Sequence, residues 1–405
     1  MVYQPPLGAR DFLPLEVAQQ QWIESSVRDV FERWGYQRIV TSTLERLETL
    51  MAGGAVQRQR VLQVLSEDVG ELGLRPELTA SIARAAVTRL IKAPRPLRLF
   101  YLANVFRRPP GQESYQAGVE LLGAGSVLAD VEMLLLLSDC LAELGLNSQL
   151  SQGQCTIILG QAALTKSLLL PFPELLRAKV LAAIAHLDRL TLETLDLSVE
   201  LRDRALALMD LRGQSADVLA ALQQFNLDPE QQAIAQRLAQ LTQLLGARLG
   251  DAGPAVILDL SLVQTFDYYT GIVFEVACEA AGTNGIVGQG GRYDQLLGLY
   301  HPQQETSPGI GFSLDIERLQ QVLQSTGQLP PAPPPVDWLV VPLGSEDYVA
   351  ALDHRKRLRE TASVELYLEP VVELEAVRAY ARDRAIAQIA WVKAGQVSEE
   401  QTLLR

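Results

Sequence analysis

Hydrophobic positions along the first third of the chain switch between two periods. Over 15–34, Val17, Trp22, Ile23, Val27, Val30 and Phe31 recur at helical spacing, and Gly35 stands where a left-handed residue ends a helix. Pro14, just ahead, suits a first helical turn. The period then drops to two. Residues 36–43 alternate as a strand, and 96–105, with Leu97, Leu99 and Tyr101 on one face, predict another. Between them 81–91 predict a helix, ended by the APRP run at 93–96. Residues 116–122 form an antiparallel neighbour of 96–105 across a polar loop bearing Pro and Gly, and 127–144 is helical. Strands follow at 154–159 and 255–262. The Leu/Ala/Gln-rich stretch 162–250 between them has helical periods and almost no β signal, which predicts a helical subdomain on the rim of a sheet.

Residues 267–277 and 285–291 predict further strands, and 309–323 a strand running into a helix. A stiff Pro-rich linker, GQLPPAPPPV, occupies 327–336. Beyond it, strands at 338–342, 364–368 and 386–392 alternate with helices at 348–360 and 371–384, a small βαβαβ layer. The expected domains are a core over 1–326 with its helical insertion at about 162–250, the linker, and a small α/β domain over 337–405.

Composition narrows the possible chemistry. A chain of 405 residues is too long for one ordinary core. Its 48 acidic and 35 basic side chains leave a formal charge of −13, which disfavours large nucleic acids unless basic residues cluster. Cys140, Cys155 and Cys278 are odd in number and far apart, which argues against a disulfide-stapled secreted domain. His186, His301 and His354 lack metal-ligand spacing, so no metal and no cofactor is expected. The first residues lack the parts of an export signal, and apolar runs such as 133–137 fall far short of the ~20 residues that span a bilayer. A soluble, cytoplasmic protein with no membrane partner is the expectation.

Short self-contained signatures are missing: GQGGRYD at 288–294 fails the dinucleotide spacing, and there is no P-loop, nucleophile elbow or HExxH. Longer segments say more. LRPELTA (74–80) places Glu77 and Thr79 in a turn before a helix, and VFR (105–107) ends a strand on Arg107. In QAGVE (116–120), Gln116, Gly118 and Glu120 share one strand face. FDYYTGIVFE (266–275) adds Tyr268 and Tyr269, GGRYD (290–294) adds Arg292 and Tyr293, and GIGFSLDIER (309–318) ends on Arg318. Singly each has a plain structural reading, as a turn, a half-buried tyrosine pair or a helical ion pair.

In this order the segments, starting from PLGARDFLP at 6–14, resemble histidyl-tRNA synthetase, a class II aminoacyl-tRNA synthetase, over nearly the whole chain. The resemblance implies an α+β fold: a class II synthetase-like antiparallel sheet flanked by helices, dimeric along its first motif. It also implies that Glu77, Thr79, Gln116, Glu120, Tyr269 and Tyr293, with Tyr268 beside them, line a histidine pocket. Arg107 would touch both the amino-acid carboxylate and the ATP α-phosphate, and Arg318 would bind ATP.

The chain departs from that family on the ATP side. QTFDYY (264–269) has Gln264 where the synthetases carry an arginine, and a neutral amide cannot offset charge developing at the α-phosphate. Losing one such contact costs ~10²–10³ in rate. FRRPPGQESY (106–115) has Pro109 in place of a glutamate and no arginine after Arg108. Asp315 replaces a glycine of the third motif, and Ser42 the proline of the first. Residues 335–405 hold nine basic and twelve acidic side chains, and 251–350 two and twelve, so no basic face for tRNA is expected.

The family that keeps this scaffold without aminoacylation is the regulatory subunit of ATP phosphoribosyltransferase. The resemblance therefore implies a non-catalytic chain. It would assemble with the short-form catalytic subunit in a hetero-octamer and mediate feedback inhibition by histidine, bound in the inherited pocket or at a subunit interface. The alternatives are a divergent histidyl-tRNA synthetase and a stand-alone histidine- or tRNA-sensing module.

Overall fold

The structure, a computed structural model, describes residues 5, 9–54, 56–66, 70–107, 112–146, 154–250, 253–262, 268–280 and 283–402. These residues form two compact units, one of the residues up to Leu13 with Gln19–Leu329, the other of Pro14–Ala18 with those from Pro330 on.

The first unit is organised on a nine-stranded sheet. Its strand order is β1 (Gln37–Arg38), β5 (Leu97–Arg107), β6 (Gln112–Leu122), β12 (Gly309–Asp315), β11 (Thr283–Arg292), β10 (Ile272–Ala280), β7 (Gln154–Gln161), β9 (Ala255–Asp259) and β8 (Arg212–Gln214). The β1/β5 and β7/β9 pairs are parallel and the others antiparallel. Alternation along β5 divides the core in two. Phe100 and Leu102 join the cluster under α1 (Pro14–Arg33) and α4 (Val127–Glu143), while Leu99 and Tyr101 join a second cluster with α3 (Thr79–Thr88) and α11 (Leu296–Tyr300). Helix α1 forms because Ile23, Val27, Val30 and Phe31 make one buried stripe, and the Phe31 ring sits 5.6 Å from that of Phe100. Gly35, at φ 80°, ends it.

A smaller sheet, β2 (Leu44–Arg46), β4 (Gly70–Leu74) and β3 (Leu62–Ser66), accompanies α2 (Leu47–Met51). The insertion between β7 and β9 contains α5 (Ala162–Leu168), α6 (Glu174–Ala185), α7 (Arg189–Thr194), α8 (Val199–Met209), α9 (Ser215–Leu222) and α10 (Pro229–Leu249). A capping box between Asp228 and Gln231, with Pro229 in the first turn, starts α10. The last element of the first unit is α12 (Ile316–Gln324).

The second unit is a four-stranded sheet in the order β14 (Val364–Leu366), β13 (Trp338–Pro342), β15 (Gln388–Lys393) and β16 (Gln396–Gln401), with α13 (Tyr348–Leu358) and α14 (Leu374–Asp383).

The expected α+β fold with a helical insertion and a small α/β unit is the one adopted. Several local expectations are corrected. Only Gln37 and Arg38 of the predicted 36–43 strand pair within the large sheet. The buried Arg75 guanidinium donates to the carbonyls of Thr41 (2.9 Å) and Ser42 (3.2 Å), so these oxygens are taken by a side chain instead of a neighbouring strand. The β3/β4 hairpin and β16 lay outside the predicted elements, and the insertion contributes β8 to the sheet edge. Cysteine spacing pointed away from a staple, yet Cys155 and Cys278 face each other across β7 and β10 and are joined as a disulfide, with Cα atoms 4.1 Å apart. Separation along the chain says nothing about neighbours in a sheet. Cys140 is buried and unpaired, and its burial pushes the thiol well above its ordinary value.

Candidate functional site

The second face of the large sheet carries the site. Strand register aligns Tyr101 with Gly118 and Leu99 with Glu120 across β5/β6, then Glu120 with Gly311 and Gly118 with Ser313 across β6/β12. Gln289 faces Ser313 across β11/β12. Glycines make this floor thin where side chains lie flat upon it. A Cβ on Gly291 would meet the Tyr269 ring at 2.7 Å, and one on Gly311 would collide with the Glu120 carboxylate.

Glu77 sits in the turn before α3, and its carboxylate accepts from the Ala80 N–H at 3.0 Å. It is 5 % exposed, and burial raises its pKa against the opposing hydrogen bonds from Ala80 and Thr79. Glu120 is 2 % exposed, accepts from Thr79 Oγ1 at 2.7 Å and takes a second hydrogen bond from Tyr293 Oη. Desolvation pushes its pKa up to about 8 despite those two donors. The Tyr268 ring stands edge-on to Tyr269 (4.8 Å) and to Tyr293 (5.7 Å). Burial raises all three phenols.

Of the residues singled out in the sequence, Glu77, Thr79, Arg107, Gln116, Tyr268, Tyr269 and Tyr293 line one cavity, and Glu120 is hydrogen-bonded into its wall. The cavity measures about 20 Å³, room for about one water molecule. Tyr101, Gln289 and Ser313 also line it and were not singled out. Their signal, alternation on three strands, becomes readable only once register is known.

Arg107 links this inner end to an open outer cleft. Its Nε donates to the Pro76 carbonyl at 3.1 Å, and burial lowers its pKa while Asp315 and Glu77 oppose the shift. Two adjoining hollows of about 400 and 240 Å³ share Arg107, Asp315 and Arg318. Asp315 caps α12 by accepting the Arg318 N–H at 3.0 Å, and its carboxylate lies 3.8 Å from the Arg318 guanidinium. Arg318 Nη1 donates to the Ile286 carbonyl, and Arg10 pairs with Glu317 at 3.8 Å. Arg318 therefore stands apart from the inner cluster, in the outer cleft, with a carboxylate beside it. Gln264, Arg108 and Pro109 lie outside the described residues. Among the described residues, no three His, Cys, Asp or Glu side chains gather as metal ligands, and no helix is long and apolar enough to cross a membrane.

The chain matches the histidyl-tRNA synthetase family over residues 8–319. It is 54% identical to the ATP phosphoribosyltransferase regulatory subunit of Synechococcus elongatus, over 100% of this chain and 98% of that one. It is 56% identical to the one from Trichormus variabilis, over 97% of each. The chain belongs to the ATP phosphoribosyltransferase regulatory subunit family. Among solved structures, one described as an ATP phosphoribosyltransferase regulatory subunit/histidyl-tRNA synthetase from Bacillus halodurans is similar with TM-score 0.79 at 27% identity, over 94% of this chain and 97% of that one. Histidyl-tRNA synthetase from Nostoc sp. PCC 7120 shares the fold with TM-score 0.78 at 22% identity, over 98% and 97%. In this regulatory-subunit member, the synthetase-like sheet has a small inner cavity and an outer cleft where carboxylates accompany the arginines.

Proposed function

We propose that this chain is the non-catalytic regulatory subunit of ATP phosphoribosyltransferase, acting at the first step of histidine biosynthesis in the cytoplasm. It dimerises, assembles with the short-form catalytic subunit into a hetero-octamer, activates it and mediates histidine feedback. It binds no tRNA. The observation that carries this reading is Asp315 at the start of α12, beside Arg318 and acting on Arg107, where an adenylating enzyme needs uncompensated positive charge for ATP phosphates. Similarity to regulatory subunits along the whole chain supports it.

Histidine is read as the ligand of the inner cluster. Glu77 takes the α-ammonium, Glu120 and Tyr269 face the imidazole, and Thr79, Gln116, Tyr268, Tyr293 and Arg107 complete the wall. Histidine is larger than this cavity of about 20 Å³ and enters by shifting side chains that the cavity shares with the adjoining 240 Å³ hollow, Arg107, Gln116, Gln289 and Ser313. Histidine then prefers one of two arrangements of the same residues, the condition for a ligand to shift an equilibrium.

Mixing the purified chain with a short-form ATP phosphoribosyltransferase tests the reading. Co-elution, a rise in rate and new inhibition by histidine are expected, and no co-elution sinks it. Glu77→Ala should abolish inhibition by histidine while preserving activation; unchanged inhibition would move the regulatory site elsewhere. The competing synthetase reading rests on the retained inner cluster. Histidine-dependent ATP–pyrophosphate exchange at a robust rate would establish it instead.

A further inference from the structure

A concavity of the second unit lies at the carboxyl ends of the parallel strands β13 and β14. In open α/β sheets this is the end where loops leave room for ligands. The groove measures about 350 Å³. One wall is the start of α13, where Tyr348 and Leu352 lie one turn apart on the same helical face. The other is the segment after β14, with Tyr367, Leu368 and Val371.

Tyr367 and Val371 are half-buried against the core, but other apolar side chains of the groove are open to solvent. Leu352 is 51% and Leu368 83% exposed. Val349 and Val372, next to lining residues along the chain, and Leu374 two residues further on, are exposed apolar side chains as well. A concentration of this kind marks an interaction surface, and its extent beyond the hollow suits a polypeptide segment better than a small molecule.

Charge narrows the occupant further. The two wall segments, 342–353 and 366–375, contain six carboxylates and no Lys or Arg. Asp347 is turned inward, with the Gly395 N–H 3.3 Å from its carboxylate, and Glu375 pairs with Arg378 and Arg382. Glu369 lines the groove and Glu346 lies against Gly344 in its wall, an exposed acidic rim, and Asp353 and Glu373 are exposed on the same two segments. Such a rim repels a phosphate backbone and attracts a basic one.

We propose that this groove docks a segment of the catalytic partner in which apolar side chains are flanked by Lys or Arg. The proposal rests on the regulatory-subunit reading above and adds where the second unit engages its partner. The apolar side chains seat between α13 and the segment after β14, and the flanking cations meet the rim.

The test uses the full chain and the short-form catalytic subunit from the same source, with the dissociation constant measured by calorimetry at two salt concentrations. Leu352→Glu and Leu368→Glu alter exposed positions and so leave the fold intact, which circular dichroism checks. Each should weaken binding at least ~10-fold, as loss of an interface anchor does. Glu369→Lys with Glu373→Lys should weaken it and flatten its salt dependence. Leu175→Glu, on the exposed side of α6, is the control and should bind as the unaltered chain does. If the unaltered chain binds and the groove variants bind equally well, the docking proposal is overturned while the regulatory reading stands. If the unaltered chain fails to bind, the regulatory reading itself falls. If the groove variants instead lower the mass of the chain alone in light scattering, the occupant is a second copy and the proposal is wrong.

Discussion

At the inner end of the cleft, Glu77 and Glu120 are almost wholly buried among four tyrosines, and burial raises both carboxyl pKa values. At the outer end, Arg318 and Asp315 stand 57% and 20% exposed, with their charges beside one another in a wide hollow. The inner groups are restrained by desolvation and by neutral hydrogen-bond donors, so they respond to pH and to anything that alters packing. The outer groups are balanced by opposite charge in reach of water, so each contact contributes little to stability. The contrast separates two ways of holding charge: at the inner end buried polar groups are held by their own hydrogen bonds, and at the open end a carboxylate offsets an arginine.

The sharpest way to break this comparison is to disturb the buried support of the inner end. Arg292 precedes Tyr293 and is itself buried, 2.6 Å from Asp130, which Arg237 approaches at 2.7 Å from the other side. Arg292→Ala strands a buried carboxylate with a single, more exposed partner. It should cost ~3–5 kcal/mol in urea unfolding. A loss below ~1 kcal/mol, typical of exposed pairs, would show that burial does not set the scale here.

Next in size is the pH dependence of Glu120. Its folded pKa of about 8 lies above the ordinary value of 4.5, so between these values the unfolded chain has released a proton that the folded chain keeps. Stability from this group is fully present below pH 4.5 and falls as pH rises to about 8. At ~1.4 kcal/mol per pKa unit the loss is on the order of 4 kcal/mol. Unfolding midpoints at pH 5 and 8 should therefore differ more in the unaltered chain than in Glu120→Gln. Equal slopes would mean that Glu120 titrates normally.

A smaller effect is expected where packing alone is at stake. Gly311→Ala pushes a methyl against Glu120 and the Val119 carbonyl, and should destabilise by ~1–3 kcal/mol. A neutral result would imply a looser inner end than its contacts describe. The smallest effect belongs to the outer end. Asp315→Ala removes the α12 cap and an exposed ion pair at a cost of ~1 kcal/mol, and Asp315→Asn, which can still cap, should recover most of it. Failure of Asn to recover stability would assign the effect to charge.

Much of the inner end was legible beforehand because its signals are local. Gln116, Gly118 and Glu120 alternate within one strand, Glu77 and Thr79 sit in a recognisable turn before a helix, and Tyr268 and Tyr269 are adjacent in sequence. Tyr101, Gln289 and Ser313 were not legible as partners. They come from β5, β11 and β12, which meet only through the sheet order β5, β6, β12 and β11, set by pairings across some two hundred residues. The truncated strand at 36–43 failed for a related reason. Its alternation is real, but a distant arginine claims two of its carbonyls.

By itself, then, the sequence determined what short-range physics can impose: helical stripes such as that of α1, alternation along β5 and β6, the start of α10 at Asp228-Pro229, and which regions carry surplus carboxylates. Only the tertiary structure decided which distant segments meet. It placed Cys155 opposite Cys278, closed the tyrosines over Glu120 and set Asp315 beside Arg318 at the mouth of the cleft. Register and burial are properties of the whole sheet. A residue's spacing along the chain constrains its direction, while its partners depend on how every other strand is packed.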